Sequence, residues 1–219
     1  MGRVIKEKKH SIVIRGKFNP AIFQPAWFSA KKLLNESTIE NAKNLFINNL
    51  HVEFNIEWAS ILVEPDLMLV STADESHEAQ LRDLIVGAFK FLGETPIIAL
   101  GINREVYFEV ESLEKWNSIG HMLVPKEVIW DKVLKSPKTA SVVVSGNHEE
   151  SEVGIITVKI EPSAQYRHSI YVNINDHYPV IKNQEQDANG MQLSEILSTE
   201  WEKSTINSNK IIKTLIEKL

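Results

Sequence analysis

Apolar and polar residues alternate most regularly in residues 51–64, and this pattern predicts a β-strand with a bulge near residues 59–60, where the alternation changes phase. The apolar positions are separated by single polar residues, and they are Val52, Phe54, Ile56 and Trp58. Strict alternation is typical of an antiparallel strand with one buried face. Pro65 and Asp66 follow and favour a turn. We therefore predict that residues 67–72 return as the partner strand.

Two other segments have helical spacing instead of alternation. In residues 76–93 the apolar positions recur every three or four residues, at Leu81, Leu84, Ile85, Ala88, Phe89 and Leu92. The segment from residue 191 to residue 219 shows the same spacing, at Leu193, Ile196, Leu197, Trp201, Ile211, Leu215 and Ile216. We predict two long amphipathic helices, with residues 179–189 forming a polar loop before the second.

The two halves of the chain share short sequence patterns in the same order. Residues 61–65 read I-L-V-E-P, and residues 158–162 read V-K-I-E-P. Trp27-x-Ser29 is matched by Trp116-x-Ser118. We predict a single domain, residues 1–219, made of two pseudo-repeats, residues 11–93 and 95–219, which arose by internal duplication. The alternative is that two halves with similar element order match by chance.

The order within each half predicts an α+β fold of strand, short helices, antiparallel strands and long helix. Neither half is able to close a core alone, because each has one sheet face to cover and one long helix to cover it. We therefore expect one continuous antiparallel sheet with the long helices on one face. This order resembles the duplicated TATA-binding-protein-like folds, and the resemblance concerns architecture and not DNA binding.

The amino-acid composition limits the cellular compartments and the classes of partner that we expect for the protein. The chain has 219 residues, 43% hydrophobic, with no cysteine and a net charge of −5. The absence of cysteine fits a reducing compartment, and neither a secretory signal nor an apolar run of membrane-spanning length is present. We predict a cytoplasmic protein without a membrane partner. The acidic balance argues against nucleic acid as a partner.

The densest polar cluster lies in residues 173–178 and offers acid–base chemistry. Histidine beside aspartate can act as a general base, and tyrosine can donate a proton, so Asp176, His177 and Tyr178 are candidates for a ligand or partner site. The structural alternative is a strand end followed by a turn. Neighbouring strand residues point to opposite faces, which argues against direct cooperation between Asp176 and His177.

Three further residues complete the candidate site. Arg104 could clamp a carboxylate or phosphate, and Asn103 precedes it in the middle of the chain. Trp27 lies in an aromatic-rich segment and could line a pocket that Arg104 closes. The structural alternatives are an arginine paired with a nearby glutamate and a loop anchored by aromatic side chains.

Motifs for the common enzyme classes are missing from the sequence. There is no glycine-rich phosphate loop, no G-x-S-x-G and no pair of histidines at zinc-protease spacing. We therefore predict no catalytic residue, no metal site and no cofactor.

Three segments carry a family resemblance. Residues 16–28 (GKFNPAIFQPAWF), 99–105 (ALGINRE) and 175–178 (NDHY) resemble segments of a sporadically distributed family of bacterial proteins without an assigned activity. The resemblance implies a bacterial protein of an accessory system, associated with mobile elements or defence.

These observations lead to two functional hypotheses. The first is a noncatalytic binding or protein-interaction module, with a protein partner or self-association into a homo-oligomer. The second is a small-molecule enzyme or nucleotide-ligand sensor with its site between the two halves.

Overall fold

The alternating segments pair into one antiparallel sheet, seen in a computed structural model that describes residues 4–148, 154–180 and 189–219. Its strands are β1 (Ile5–Gly16), β2 (Lys43–Ile47), β3 (Val52–Asn55), β4 (Ser60–Glu64), β5 (Leu67–Thr72), β6 (Ile97–Glu109), β7 (Val142–Asn147), β8 (Ile155–Pro162) and β9 (Ser169–Pro179). The order across this nine-stranded sheet is β2-β3-β4-β5-β1-β6-β9-β8-β7.

The helices that build the core lie on one face of the sheet. They are α1 (Pro25–Ala30), α2 (Glu36–Glu40), α3 (Glu78–Phe91), α4 (Leu113–Leu123) and α6 (Gly190–Lys218), and a single turn, α5 (Trp130–Val133), precedes β7. We call the side that they cover the helix face and the opposite side the open face. The expected α+β fold with one large antiparallel sheet is confirmed.

Alternation along the strands decides which side chains reach the core. In β9, Ile170, Val172 and Ile174 are buried on the helix face, while Tyr171 and Asn173 between them are half-buried on the open face. In β1 and β6 this alternation is interrupted at the centre of the sheet, where residues 10–12 and 100–104 are buried on both faces. Outside that centre, the sequence pattern sorts side chains correctly between the two faces.

The helix face holds two hydrophobic clusters. The first lies beneath α1 and α3 and includes Ile12, Phe28 and Leu81. The second lies beneath α4 and includes Phe108 and Val172. Helix α6 has 29 residues, which makes it about 43 Å long. Its first half packs in the first cluster and its second half against the second, so α6 connects them.

The halves of the chain meet at the centre of the sheet. β1 and β6 are the first strands of their halves, and they pair with each other in register from Lys8↔Val106 to Arg15↔Ala99. Moving outward, β5 and β9 come next, then β4 and β8, then β3 and β7. The first four strands from the centre therefore follow the same order in each half, and the first half adds β2, which has no counterpart among the described strands of the second half.

The prediction of one strand over residues 51–64 is wrong. The chain turns at residues 56–59, where the Ile56 amide donates to the Ala59 carbonyl, and the segment forms a hairpin of β3 and β4. Residues 45–47 belong to the edge strand β2. Helix α2 begins at Glu36 and is capped by Asn35, because the Asn35 side chain accepts from the Thr38 amide. Of the predicted loop, residues 181–188 lie outside the described part of the chain.

The start of α6 is held tightly against the end of α3. Asn189 caps the helix, and its amide in turn donates to Gln192, which forms a capping box. A Cβ on Gly190 would lie 2.6 Å from Cδ1 of Phe89 and 2.7 Å from the carbonyl oxygen of Leu92. Only glycine allows this close approach between the helices.

Gly190→Ala is expected to lower the free energy of unfolding by about 1–3 kcal/mol, because the added methyl group clashes with backbone and a buried ring. Urea denaturation followed by circular dichroism measures the change. Gly146→Ala is the matched control, since a Cβ added there on the exposed strand β7 would meet no described atom within 4 Å. Equal stability of the two variants would contradict the close docking of α6 on α3.

Candidate functional site

Arg104 lies between the two hydrophobic clusters and is almost completely buried. It projects from β6 onto the helix face and is 1% exposed. Its guanidinium carbon lies 5.4 Å from the centre of the Trp201 ring, close enough for a cation–π contact. A buried cation is costly unless its charge and its donors are satisfied.

Helices α3 and α6 supply every acceptor that Arg104 needs. Nε and Nη2 donate to Oε1 of Glu78 over 3.0 and 2.6 Å. Nη2 also donates to the hydroxyl of Thr205, while Nη1 donates to Ser204 at 2.8 Å and to Ser208 at 3.5 Å. All five N–H groups of the guanidinium are therefore used.

Glu78 has a second basic neighbour in His10, which stands opposite Arg104 in the β1–β6 register. Burial alone would raise the pKa of Glu78, but the contact with His10 and the charge of Arg104 outweigh burial and lower the pKa to about 2. The His10 contact spans 3.5 Å from Nδ1 to Oε1. Neither ring nitrogen of His10 makes a well-formed hydrogen bond with a described residue.

A cleft of about 400 Å³ opens beside His10 between the sheet and the second half of α6. Its polar lining consists of Lys8, His10, Glu75, Arg104, Glu105, Asn209, Lys213 and Glu217. Cations and anions are mixed around it, and Lys8 is paired with Glu75 at 2.8 Å. The cleft therefore has no dominant charge to select a ligand.

The network continues from Ser204 to Asp176 on β9. The Ser204 hydroxyl accepts from Arg104 and also contacts the Asp176 carboxylate. Burial raises the pKa of Asp176, and the contacts with Ser204 and His148 oppose that rise only in part. Burial and the charge of Asp176 also raise the pKa of Tyr178.

His148 is the histidine that accompanies Asp176. Its Nε2 lies 2.7 Å from Oδ1 of Asp176, although the ring N–H is not aligned for a hydrogen bond. Its ring centre lies 5.0 Å from that of Tyr178. A carboxylate, an imidazole and a phenol thus meet on the helix face, which is a set capable of proton transfer.

On the open face, small polar side chains form a continuous row across eight strands. Each is directly opposite the next in the strand register, and we call them the polar row: Asn55, Ser60, Ser71, Ser11, Asn103, Asn175, Thr157 and Ser145. Asn175 donates to Asn103 over 2.6 Å. The middle of the row is recessed, because Ser11, Ser71 and Asn103 are only 6–7% exposed although no described helix covers them.

The structure divides the residues that the sequence singled out between three places. Arg104, Asp176 and Tyr178 share the buried network on the helix face. Asn103 and His177 lie on the open face, where His177 is opposite Gly101.

Trp27 lies in neither place. It packs in α1 against Phe23 and Phe28, with ring centres 5.7 and 5.1 Å away, beside a surface depression that Phe91 also lines. Arg104 does not line that depression.

Several residues of these sites are not found by sequence patterns. Glu78 and Ser204 belong to predicted helices and carry no distinguishing motif, and His148 falls in a segment whose sequence is typical of a solvated loop. A signal for Ser204 exists, since it continues the buried stripe of α6 after Trp201. Nothing in the sequence shows that His148 approaches Asp176, because only the packing of the chain brings them together.

Comparison with known proteins adds no functional assignment. No protein-family model matches the chain, and no curated protein is significantly similar to it. Among the described residues, no helix is both long enough and apolar enough to span a membrane. In the same part of the chain, no three histidine or acidic side chains come together as they would around a metal ion.

The ion pair between Glu78 and Arg104 predicts a pH dependence of stability. The folded-state pKa of about 2 lies below the ordinary 4.5. The stabilisation by the ionised Glu78 is therefore complete above that ordinary value and is lost as the pH falls from about 4.5 toward 2. Glu78→Gln is expected to cost roughly 3 kcal/mol at neutral pH and to lack this part of the acid-dependent loss.

Urea denaturation at a series of pH values measures both effects. Glu202→Gln, at an exposed position of α6, is the matched control and should follow the wild type. If the difference between wild type and Glu78→Gln stayed constant down to pH values near 2, Glu78 would not be held ionised by this network.

Proposed function

We propose that the protein is a noncatalytic binding module that holds a partner protein on the open face of its sheet. The polar row carries this proposal. A strand face that is buried in a two-layer fold is normally apolar. A strand face that only contacts water does not require polar side chains to lie opposite one another on neighbouring strands. Here one row of hydroxyl and amide groups crosses eight neighbouring strands on the face that the described helices leave uncovered.

The rows beside the polar row support a protein partner. On one side of the polar row, Leu69 lies between Leu62 on β4 and Val13 on β1, directly opposite both. All three side chains are half-buried. An apolar row next to hydrogen-bonding groups matches the composition of protein interfaces. Gly101 continues this row, and a Cβ there would lie 3.1 Å from Nδ2 of Asn175, so glycine keeps the centre open.

The charges of the open face argue against nucleic acid. On the other side of the polar row, Lys9, Glu105 and Lys159 alternate in sign across the sheet. Lys159 is paired with Glu161 at 2.7 Å. A phosphate backbone requires a continuous basic surface, whereas a protein partner can match mixed charges. We therefore favour a protein.

We further propose that the two halves arose by internal duplication. The shared outward strand order and the long helix that ends each half support this. The family resemblance supports a bacterial accessory system, and the absence of cysteine supports a cytoplasmic location.

A small-molecule enzyme is the second candidate, favoured by the meeting of Asp176, His148 and Tyr178. The two candidate functions predict different effects when His148 is substituted. His148→Gln should leave partner binding unchanged if the open face binds a protein, whereas it should abolish activity in an enzyme.

The binding proposal is tested by site-specific photo-crosslinking in bacterial extract. A photoreactive residue at Thr157, in the polar row, should capture one defined protein. The same residue at Ile206, which is 70% exposed on α6, is the control and should not capture it. Capture of the same proteins from both positions would contradict a binding site on the open face.

The captured partner then allows a quantitative test. Leu69→Asp is expected to weaken binding of the purified partner at least ~10-fold, because it places a charge in the apolar row. Ile206→Asp is the matched control, and thermal unfolding verifies that both variants are folded. Thr157→Arg provides a second variant on the open face. If both open-face variants bound the partner with wild-type affinity, the proposal would be wrong.

A further inference from the structure

The two edge strands of the sheet differ in how they are protected. A strand at the edge of a sheet exposes unpaired backbone groups, and natural proteins block this edge with charges, prolines or bulges. In the described part of the chain, β2 and β7 are the edge strands. Their protection decides whether another strand can join the sheet.

Strand β2 is protected by its backbone and by charge. Its register with β3 shifts between Lys43 and Phe46. Asn44 within this shift has a φ of 53°, in the left-handed region. The irregular backbone interrupts the row of outward-facing groups, and Lys43 adds a charge.

Strand β7 has none of these protections. Its register with β8 is continuous from Val142↔Ile160 to Asn147↔Ile155. The sequence of β7, VVVSGN, contains no charge and no proline. Val143 on the open face is 58% exposed, and Val144 on the helix face is 60% exposed. The strand therefore offers a regular and uncharged edge that no other described strand pairs with.

The chain that leads into β7 exposes further large apolar side chains. Val128, Ile129, Val133 and Leu134 are between 53% and 71% exposed. Large apolar side chains exposed together in one segment are typical of an interaction surface. Thr139, between this segment and β7, contacts Gly120 of α4 on the helix face.

We propose that β7 pairs with the same strand of a second copy of this chain, antiparallel and about a two-fold axis perpendicular to the sheet. In such an interface every residue meets the same segment of the partner, so a charged strand would oppose like charges. Strand β7 is uncharged throughout, and it satisfies this requirement of self-pairing. The axis keeps both helix layers on one side, so that Val144 faces its counterpart in the partner.

The same neutrality disfavours a foreign strand as the occupant. Specific pairing with a different protein requires side chains that select it, commonly complementary charges. Strand β7 has no charge to offer, whereas a second copy supplies an identical neutral strand together with an identical apolar segment. This inference concerns the sheet edge and is independent of the partner proposed for the open face.

Sedimentation velocity over a concentration series tests the proposal. The wild type should form a dimer that dissociates on dilution, with a Kd on the order of 10 µM, since the paired strand is short. Val144→Lys should raise the Kd at least ~10-fold, because in a pairing centred on Val144 the two-fold axis places the two lysines opposite each other. Leu45→Lys on β2 is the matched control and should dimerise like the wild type.

Hydrogen exchange of the wild type provides a second test that requires no variant. Amide protection in β7 should increase with protein concentration, while that in β2 should not. A wild type that is monomeric at all concentrations, or whose β7 protection is independent of concentration, would overturn the proposal. So would dissociation of the dimer by Leu45→Lys to the same extent as by Val144→Lys.

Discussion

The rest of the structure depends on the burial of Arg104 between two hydrophobic clusters. A guanidinium in this position needs a counter-charge and an acceptor for each N–H group. Glu78 from α3 supplies the charge, and α6 supplies hydroxyl groups from Ser204, Thr205 and Ser208. The ion pair therefore fixes the position of both long helices over the central strands. The short polar stretch of α6 separates its two apolar halves where the clusters are separated.

This arrangement gives the two faces of the sheet different roles. The helix face buries the apolar side chains and satisfies its charged groups internally, through Arg104, Glu78 and the Asp176–His148 pair. The open face is free of helices in the described part of the chain, and it presents hydrogen-bonding groups in register. A sheet covered on one side only is common among antiparallel folds. Its uncovered side is accessible to a binding partner.

Periodicity predicted much of the fold because it reports burial locally. The alternation in residues 52–55 and the helical spacing in residues 191–219 reflect which side chains face the core. The change of phase near residues 59–60 marks a hairpin turn between two strands and not a bulge within one. The same rule correctly separated Asp176 from His177, since adjacent strand residues face opposite sides. It did not find His148 beside Asp176, because that contact joins distant residues through the pairing of β7, β8 and β9. Periodicity also did not predict the polar row, although each of its members occupies a strand position on the open face.

The sequence by itself determined the element types, the two faces of each strand and the absence of cysteine chemistry. These properties follow from local spacing and composition, which each residue carries wherever the chain folds. Only the tertiary structure decided which residues become neighbours: Arg104 with Glu78, Asp176 with His148, and the eight members of the polar row with one another. Cross-strand register and helix docking depend on contacts between distant segments. No local pattern encodes them, so the candidate site emerged only once the sheet was assembled.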